Sequence, residues 1–406
     1  MSPKKLATKK PVASKKDVET GSAPKASTGA VSVLIGTRKG AFILKGTAKR
    51  DNWQLEGPHL LGNIVNHLVL DPRNNGTMLM AARTGHLGPT IFRSSDMGTT
   101  WKEAKEPPKF PQPPDGKYAR SVKYTFWLTP GHSSEPNVWY AGTSPHGLFR
   151  SEDGGETWKS VPGYNDNEDR QVKWSRNDED GTPDGAVTHS ILIDPRERNH
   201  IFVSQSGGGT FESRDGARTF RPLNNKVLAD FQPEKYPIYG QDPHRVHYHP
   251  MNPDRLYQQN HCGIYRLDRD PKTNPEDKWI RIGDNMPRDV GDIGFPIVLD
   301  PRNADQVWVF PMDGTDVWPR TSPDGRPCLY KTTDGGQTWI RQDSGMPAKA
   351  WWTVRRQCMT SDSHDPLGLY FGTTSGELWA SFDEGVTWKN LLSHLPMILS
   401  VEVTEL

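Results

Sequence analysis

Ser151-Glu-Asp-Gly-Gly-Glu-Thr-Trp158 recurs along this 406-residue chain. Ser94-Ser-Asp-Met-Gly-Thr-Thr-Trp101 precedes it; Thr332-Thr-Asp-Gly-Gly-Gln-Thr-Trp339 and Ser381-Phe-Asp-Glu-Gly-Val-Thr-Trp388 follow it. Ser213-Arg-Asp-Gly-Ala-Arg-Thr-Phe220 is a weaker copy, with Ala217 for the glycine and Phe220 for the tryptophan. Each residue type in the pattern has a physical reason. The aspartate accepts backbone N–H groups inside a tight turn, and the glycine supplies a positive φ. Threonine starts a strand, and tryptophan offers a large apolar plate to wedge between sheets.

The repeated aspartates, 96, 153, 215, 334 and 383, lie 57, 62, 119 and 49 residues apart. The gap of 119 holds two periods, so a unit with a worn turn is expected between, from Gly263 to Ile282. Another stands at the front, around Gly40 and Trp53. Each of the seven hairpins follows an apolar strand, at 33–37, 78–83, 138–143, 201–205, 256–260, 307–310 and 369–373. Six of these follow an inner strand, at 67–71, 124–129, 189–194, 246–249, 296–300 and 354–359, often ending in Asp-Pro. The seventh inner strand is missing at the front and present at the back, at 398–404. The sequence therefore predicts an all-β, seven-bladed β-propeller over residues 31–406, its ring closed by the C-terminal strand.

Residues 1–30 carry seven lysines against one aspartate and one glutamate, with Ser, Ala, Thr and Pro filling most of the rest. They read as a disordered tail, solubilising or weakly attractive to nucleic acid or an acidic partner. Formal net charge is +1, so the folded remainder is slightly acidic and is no nucleic-acid surface by charge. No apolar run reaches the roughly 18 residues of a membrane helix, and no signal peptide follows the basic start. Cys262, Cys328 and Cys358 are odd in number and lack metal spacing. A cytoplasmic monomer, off the membrane, is expected; the cofactor is left open.

Loop lengths point to the working face. Connections at 105–123, 163–188 and 224–245, and an insertion at 311–327, are long and without regular structure. In a propeller they open on one side, opposite the repeated turns, where binding usually sits. Two sets of positions gather there. The starts of the inner strands supply His67, His189, His244, Arg245 and Arg355. The turns after the second strands supply Arg38, Arg83, His146 and His261. This His/Arg-rich mouth suits a small anionic or sugar-like ligand, because Arg matches carboxylate and phosphate. His67, His189, His244 and His261 could instead satisfy channel hydrogen bonds, or converge on a metal. Asp184, Asp242 and Asp313 are available on mouth loops, should hydrolysis use a carboxylate pair.

The repeated turns resemble the Asp-box, or BNR, repeats of a superfamily holding sialidases, xyloglucan-degrading enzymes, sortilin-type receptors and the photosystem II assembly factor. The resemblance covers nearly all of residues 31–406 and is specific for fold, not activity. The opening Ile35-Gly-Thr-Arg-Lys-Gly40 is similar to bacterial chains termed sialidase-like or glycosyl-hydrolase-like. Sialidases have six blades and an early Arg-Ile-Pro motif, both absent here, so sialidase activity itself is not expected. The resemblance leaves two classes open: a glycosidase-like hydrolase with its ligand at the mouth, or a non-catalytic scaffold docking a protein partner there.

Overall fold

The five recurring turns close through one set of hydrogen bonds in the computed structural model, which describes residues 25–73, 76–86, 88–112, 120–167, 169, 185–313 and 320–405. The Ser151 hydroxyl donates to Asp153 Oδ1 at 2.7 Å and accepts the Gly155 N–H at 2.9 Å. Asp153 then accepts the Thr157 N–H at 2.9 Å and the Thr157 hydroxyl at 2.5 Å. The same contacts surround Asp96, Asp215, Asp334 and Asp383. Gly155 serves twice. Its φ is 90°, and a Cβ there would stand 2.7 Å from the Leu79 side chain of the preceding blade. In the weaker copy Ala217 takes a φ of 67°.

Seven four-stranded antiparallel sheets follow one another around a ring, making an all-β, seven-bladed propeller with almost no helix. The innermost strands are Ile64–Asp71, Tyr124–Pro130, Thr188–Ile193, Pro243–His249, Gly294–Asp300, Met359–Ser361 and Ile398–Glu405. The last pairs with Val31–Thr37, from Val31↔Glu405 to Thr37↔Ile398, so both ends of the chain build the first blade. One inner strand departs from expectation. Residues 354–358, expected as strand, turn instead, with Cys358 N–H bonded to the Arg355 carbonyl at 3.0 Å. The sheet there starts only at Met359. Of the expected tail, residues 1–24 lie outside the described residues. Its end is tied down: Ser27 N–H donates to Ser363 O at 2.9 Å, and His364 Nε2 to Gly29 O at 3.1 Å.

The Asp-Pro-Arg turns explain why the inner strands stop where they do. Asp71, Asp194 and Asp300 each accept the N–H of the arginine two residues on, and each also binds that arginine's guanidinium. The same arginines reach the next blade. Arg73 donates to His132 O, Arg196 pairs with Asp254, and Arg302 pairs with Asp365. In the fourth blade His200 bridges Asp194 (2.8 Å) and Glu212 (2.7 Å), and Arg269 of the fifth blade reaches Glu212 at 2.7 Å. Burial opposes charge on both acids, yet hydrogen bonds from His200, with Arg196 and Arg269, hold them below the usual carboxylate range.

Two expected outcomes follow from these contacts. Ile398 is fully buried, so Ile398→Ala costs about 2–5 kcal/mol in urea unfolding, and ending the chain at residue 397 abolishes the single cooperative transition. Retained cooperativity in the truncated chain contradicts closure by this strand. For Glu212→Gln the loss at pH 7 is up to about 3–5 kcal/mol, since buried His200 and Arg269 each lose one of their two carboxylates and keep only Asp194 and Asp277. Depressed carboxylate pKa values stabilise above the unfolded value and lose that contribution as pH falls through and below about 4. His200, raised by its two acids against burial, acts oppositely, losing its contribution as pH rises through its folded value. Glu212→Gln should therefore flatten the fall in stability between about pH 5 and 3; an unchanged slope counts against the network.

Candidate ligand site at the channel mouth

The inner strands run from the long-loop face to the Asp-Pro face, and their starts ring the channel mouth. Arg38 occupies the turn between Val31–Thr37 and Gly40–Lys45, Arg83 the end of Thr77–Thr84, and Arg355 the turn before Met359–Ser361. With Asn66, Tyr124 and Gln357 they line one polar cavity of about 120 Å3. No carboxylate lines it among the described residues. The Arg83 guanidinium lies 5.3 Å from the centre of the Tyr124 ring. Burial, then the neighbouring guanidiniums of Arg356 and Arg38, hold Arg355 below its usual range, against an opposing pull from Cys358. Such crowding of positive charge is what an anion relieves. Gln357 forms the floor, its amide spanning the channel to Asn66 O (2.8 Å) and Phe126 O (3.1 Å).

A second group stands at the mouth of the fifth blade. Asp242 precedes the strand Pro243–His249, His244 is that strand's second residue, and His261 sits in the turn after Asn252–Asn260. His244 Nε2 lies 3.4 Å and His261 Nδ1 3.7 Å from Asp242 Oδ2. Asp242 Oδ1 accepts the Gly207 N–H at 3.3 Å and faces Arg356 at 4.0 Å. Burial lowers His244, and it lowers His261 to about 4 with help from His244 and Arg320. His189 is buried beside this group and already committed, with Nε2 on Pro243 O at 3.0 Å and Nδ1 on Ser190 Oγ at 2.9 Å.

His67 and Arg245, expected at the mouth, lie below it. Ile64–Asp71 starts three residues before His67, which a rise of about 3.3 Å per residue places roughly 10 Å down the channel. His67 Nδ1 accepts the Leu128 N–H at 2.9 Å, and Nε2 donates to Glu402 at 3.0 Å. Arg245 stacks over Trp127 at 4.3 Å, and its Nε donates to His247 at 2.7 Å. Both line a cavity of about 320 Å3 that opens among residues 130–133 and Pro195, at the Asp-Pro face. Burial lowers Arg245 to about 10. The expected single opening is thus two chambers with Gln357 between them.

His146 is buried in its turn, with its carbonyl accepting a bond from Arg120. Asp313 is absorbed by the insertion, Oδ1 accepting the Thr321 N–H at 3.0 Å. Asp184 lies outside the described residues. Sequence reading missed Tyr124 and Gln357 as lining groups, because neither belongs to a residue class that signals anion binding. It also missed the pairing of Asp242 with His244 and His261, although Asp242-Pro-His244 was open to view. The three thiols are buried, and burial raises Cys262 and Cys358 to about 12 and Cys328 to about 11. They are inert as nucleophiles at neutral pH.

No family model matches the chain. A xyloglucanase of Paenibacillus sp is 28% identical over an alignment of 209 residues that covers 46% of this chain and 18% of that protein. The chain thus spans under a fifth of the length of that relative. The crystal structure of the GH74 xyloglucanase from Xanthomonas campestris superposes with a TM-score of 0.58 at 17% identity, over 90% of this chain and 55% of that one. YCF48 from Cyanidioschyzon merolae gives a TM-score of 0.50 at 13% identity, over 88% of this chain and 97% of that one. These structural likenesses are likenesses of fold.

Proposed function

We propose that this chain is a glycoside-hydrolase-like propeller that binds an acidic carbohydrate at its mouth, the sugar's carboxylate or phosphate lying among Arg38, Arg83 and Arg355. The observation that carries this reading is the convergence of three guanidiniums, from the second, first and last blades, on one polar cavity. The partial sequence similarity to a xyloglucanase supports a carbohydrate as the ligand class. On this reading the five recurring turns are Asp-box repeats of the BNR superfamily, and serve as scaffold. Hydrolysis needs a second carboxyl group beside Asp242, and Asp313 is spent on its own loop.

A second reading has its own support. Leu61, Tyr236, Ile238 and Trp351 are 73%, 51%, 72% and 64% exposed, and all stand on connections between blades, at the rim of the mouth. An apolar rim of this kind suits a non-catalytic scaffold that docks a protein.

Titration calorimetry with glucuronate and with glucose separates the two. Glucuronate should bind and glucose should not, and Arg83→Ala should weaken glucuronate roughly 10- to 100-fold, the worth of one charged hydrogen bond. Equal binding of both sugars, or no binding of either, overturns the acidic-sugar reading and leaves the apolar rim as the better guide.

A further inference from the structure

We propose that Asp242, His244 and His261 form a binding site for a divalent transition metal of the zinc or iron(II) class. The three donor atoms lie within 4.8 Å of one another, with the two His-to-Asp separations at 3.4 and 3.7 Å. Donors bonded to one tetrahedral zinc at about 2.0–2.2 Å stand about 3.3 Å apart. Closing the triangle therefore takes small side-chain movements.

The surroundings fix the donors for this use. His244 Nδ1 lies 2.5 Å from the Gly294 carbonyl, which can only accept, so Nδ1 carries the hydrogen. Nε2 of the neutral ring is then a bare lone pair, and it faces the carboxylate oxygen Oδ2. Two acceptors 3.4 Å apart repel unless a proton or a cation lies between them, and a second imidazole nitrogen, His261 Nδ1, lies 3.7 Å from the same oxygen, where a cation would serve all three. Asp242 is oriented in the same sense. Gly207 N–H and Arg356 stand on Oδ1, leaving Oδ2 to the two imidazoles. Phe231 packs edge-on against the His261 ring, with centroids 5.4 Å apart. A carbonyl behind a ligating histidine and donors behind a ligating carboxylate are the outer partners that metal sites use.

Two imidazoles and one carboxylate leave a coordination position open, the pattern of a working rather than a structural metal. His261 is the exposed corner, with 32% of its side chain reachable by solvent, whereas His244 is buried. His67 and His189 stay outside the set because both ring nitrogens of each are already bonded. The ion would share the mouth face with the arginine cavity, but its binding does not depend on a sugar.

The test uses the full chain without a polyhistidine tag. Metal analysis of the purified protein, followed by chelation and titration with zinc and with cobalt(II), should give one site per chain and a visible cobalt ligand-field band. His261→Ala and Asp242→Asn should each weaken zinc by more than about 100-fold, beyond the loss of an outer partner alone. Because His261 is partly exposed, His261→Ala should keep the melting temperature of the metal-free protein, which separates a lost ligand from a lost fold. Arg83→Ala should bind zinc normally, so this result and the sugar result can fail separately. Absence of a stoichiometric site, or His261→Ala and Asp242→Asn binding zinc as the parent does, overturns the proposal.

Discussion

The antiparallel pairing of residues 398–405 with Val31–Thr37 holds the ring shut, and it also sets the mouth. Thr37 pairs with Ile398, and the next N–H, that of Arg38, donates to Met397 O at 3.1 Å. On its other side the closing strand bonds to the last blade, through Val401 N–H to Gln357 O at 2.8 Å. Arg38 and Arg355 are therefore positioned by one strand, although more than 300 residues of chain separate them. A ring left open would lose this alignment before it lost any single blade. The side chains behind the strand, Ile398 and Val401, pack with Val33 and Ile35 in the same buried cluster.

Around the rest of the ring, two devices repeat at the face opposite the mouth. The Ser/Thr-x-Asp turns are self-contained, each satisfying its own donors, and their glycines let the preceding blade approach closely. The Asp-Pro-Arg turns act between blades, each arginine being fixed by its own aspartate before it reaches its neighbour. Fixing a guanidinium locally lowers the entropy lost when it bridges to the next sheet. Both devices spend their charge at the far face. The mouth gathers arginines and histidines whose positions are set by the starts of the inner strands and by the turns after the second strands, which suits the binding of something from outside.

The fold was legible because its signals are local and repeated. A Ser/Thr, an Asp, a Gly and a Trp at fixed spacing specify a turn and a wedge, and seven second strands against six inner ones leave one inner strand to be found at the other end. The stretch 354–358 misled because Val-Arg-Arg-Gln-Cys has strand-like apolar ends, while a Cys358-to-Arg355 turn bond, invisible in composition, won locally. The mouth was legible only in part. Arg38, Arg83 and Arg355 follow from loop position, and they do share a cavity. His67 and Arg245 were placed a level too high because a sequence shows where a strand is apolar, not where its first ladder bond forms. The closeness of His244 and His261 depends on a turn meeting a strand start within one blade. The tautomer of His244 depends on a carbonyl at residue 294, which no spacing rule connects to it.

The central claim, that three arginines brought together by ring closure receive an acidic ligand, is tested most directly by a crystal structure of the full chain soaked with glucuronate. The account predicts density for the carboxylate within hydrogen-bonding distance of Arg38, Arg83 and Arg355, above the Gln357 amide. Density instead in the lower chamber beside Arg245 and Trp127, or an empty mouth with the three guanidiniums turned apart, would contradict it.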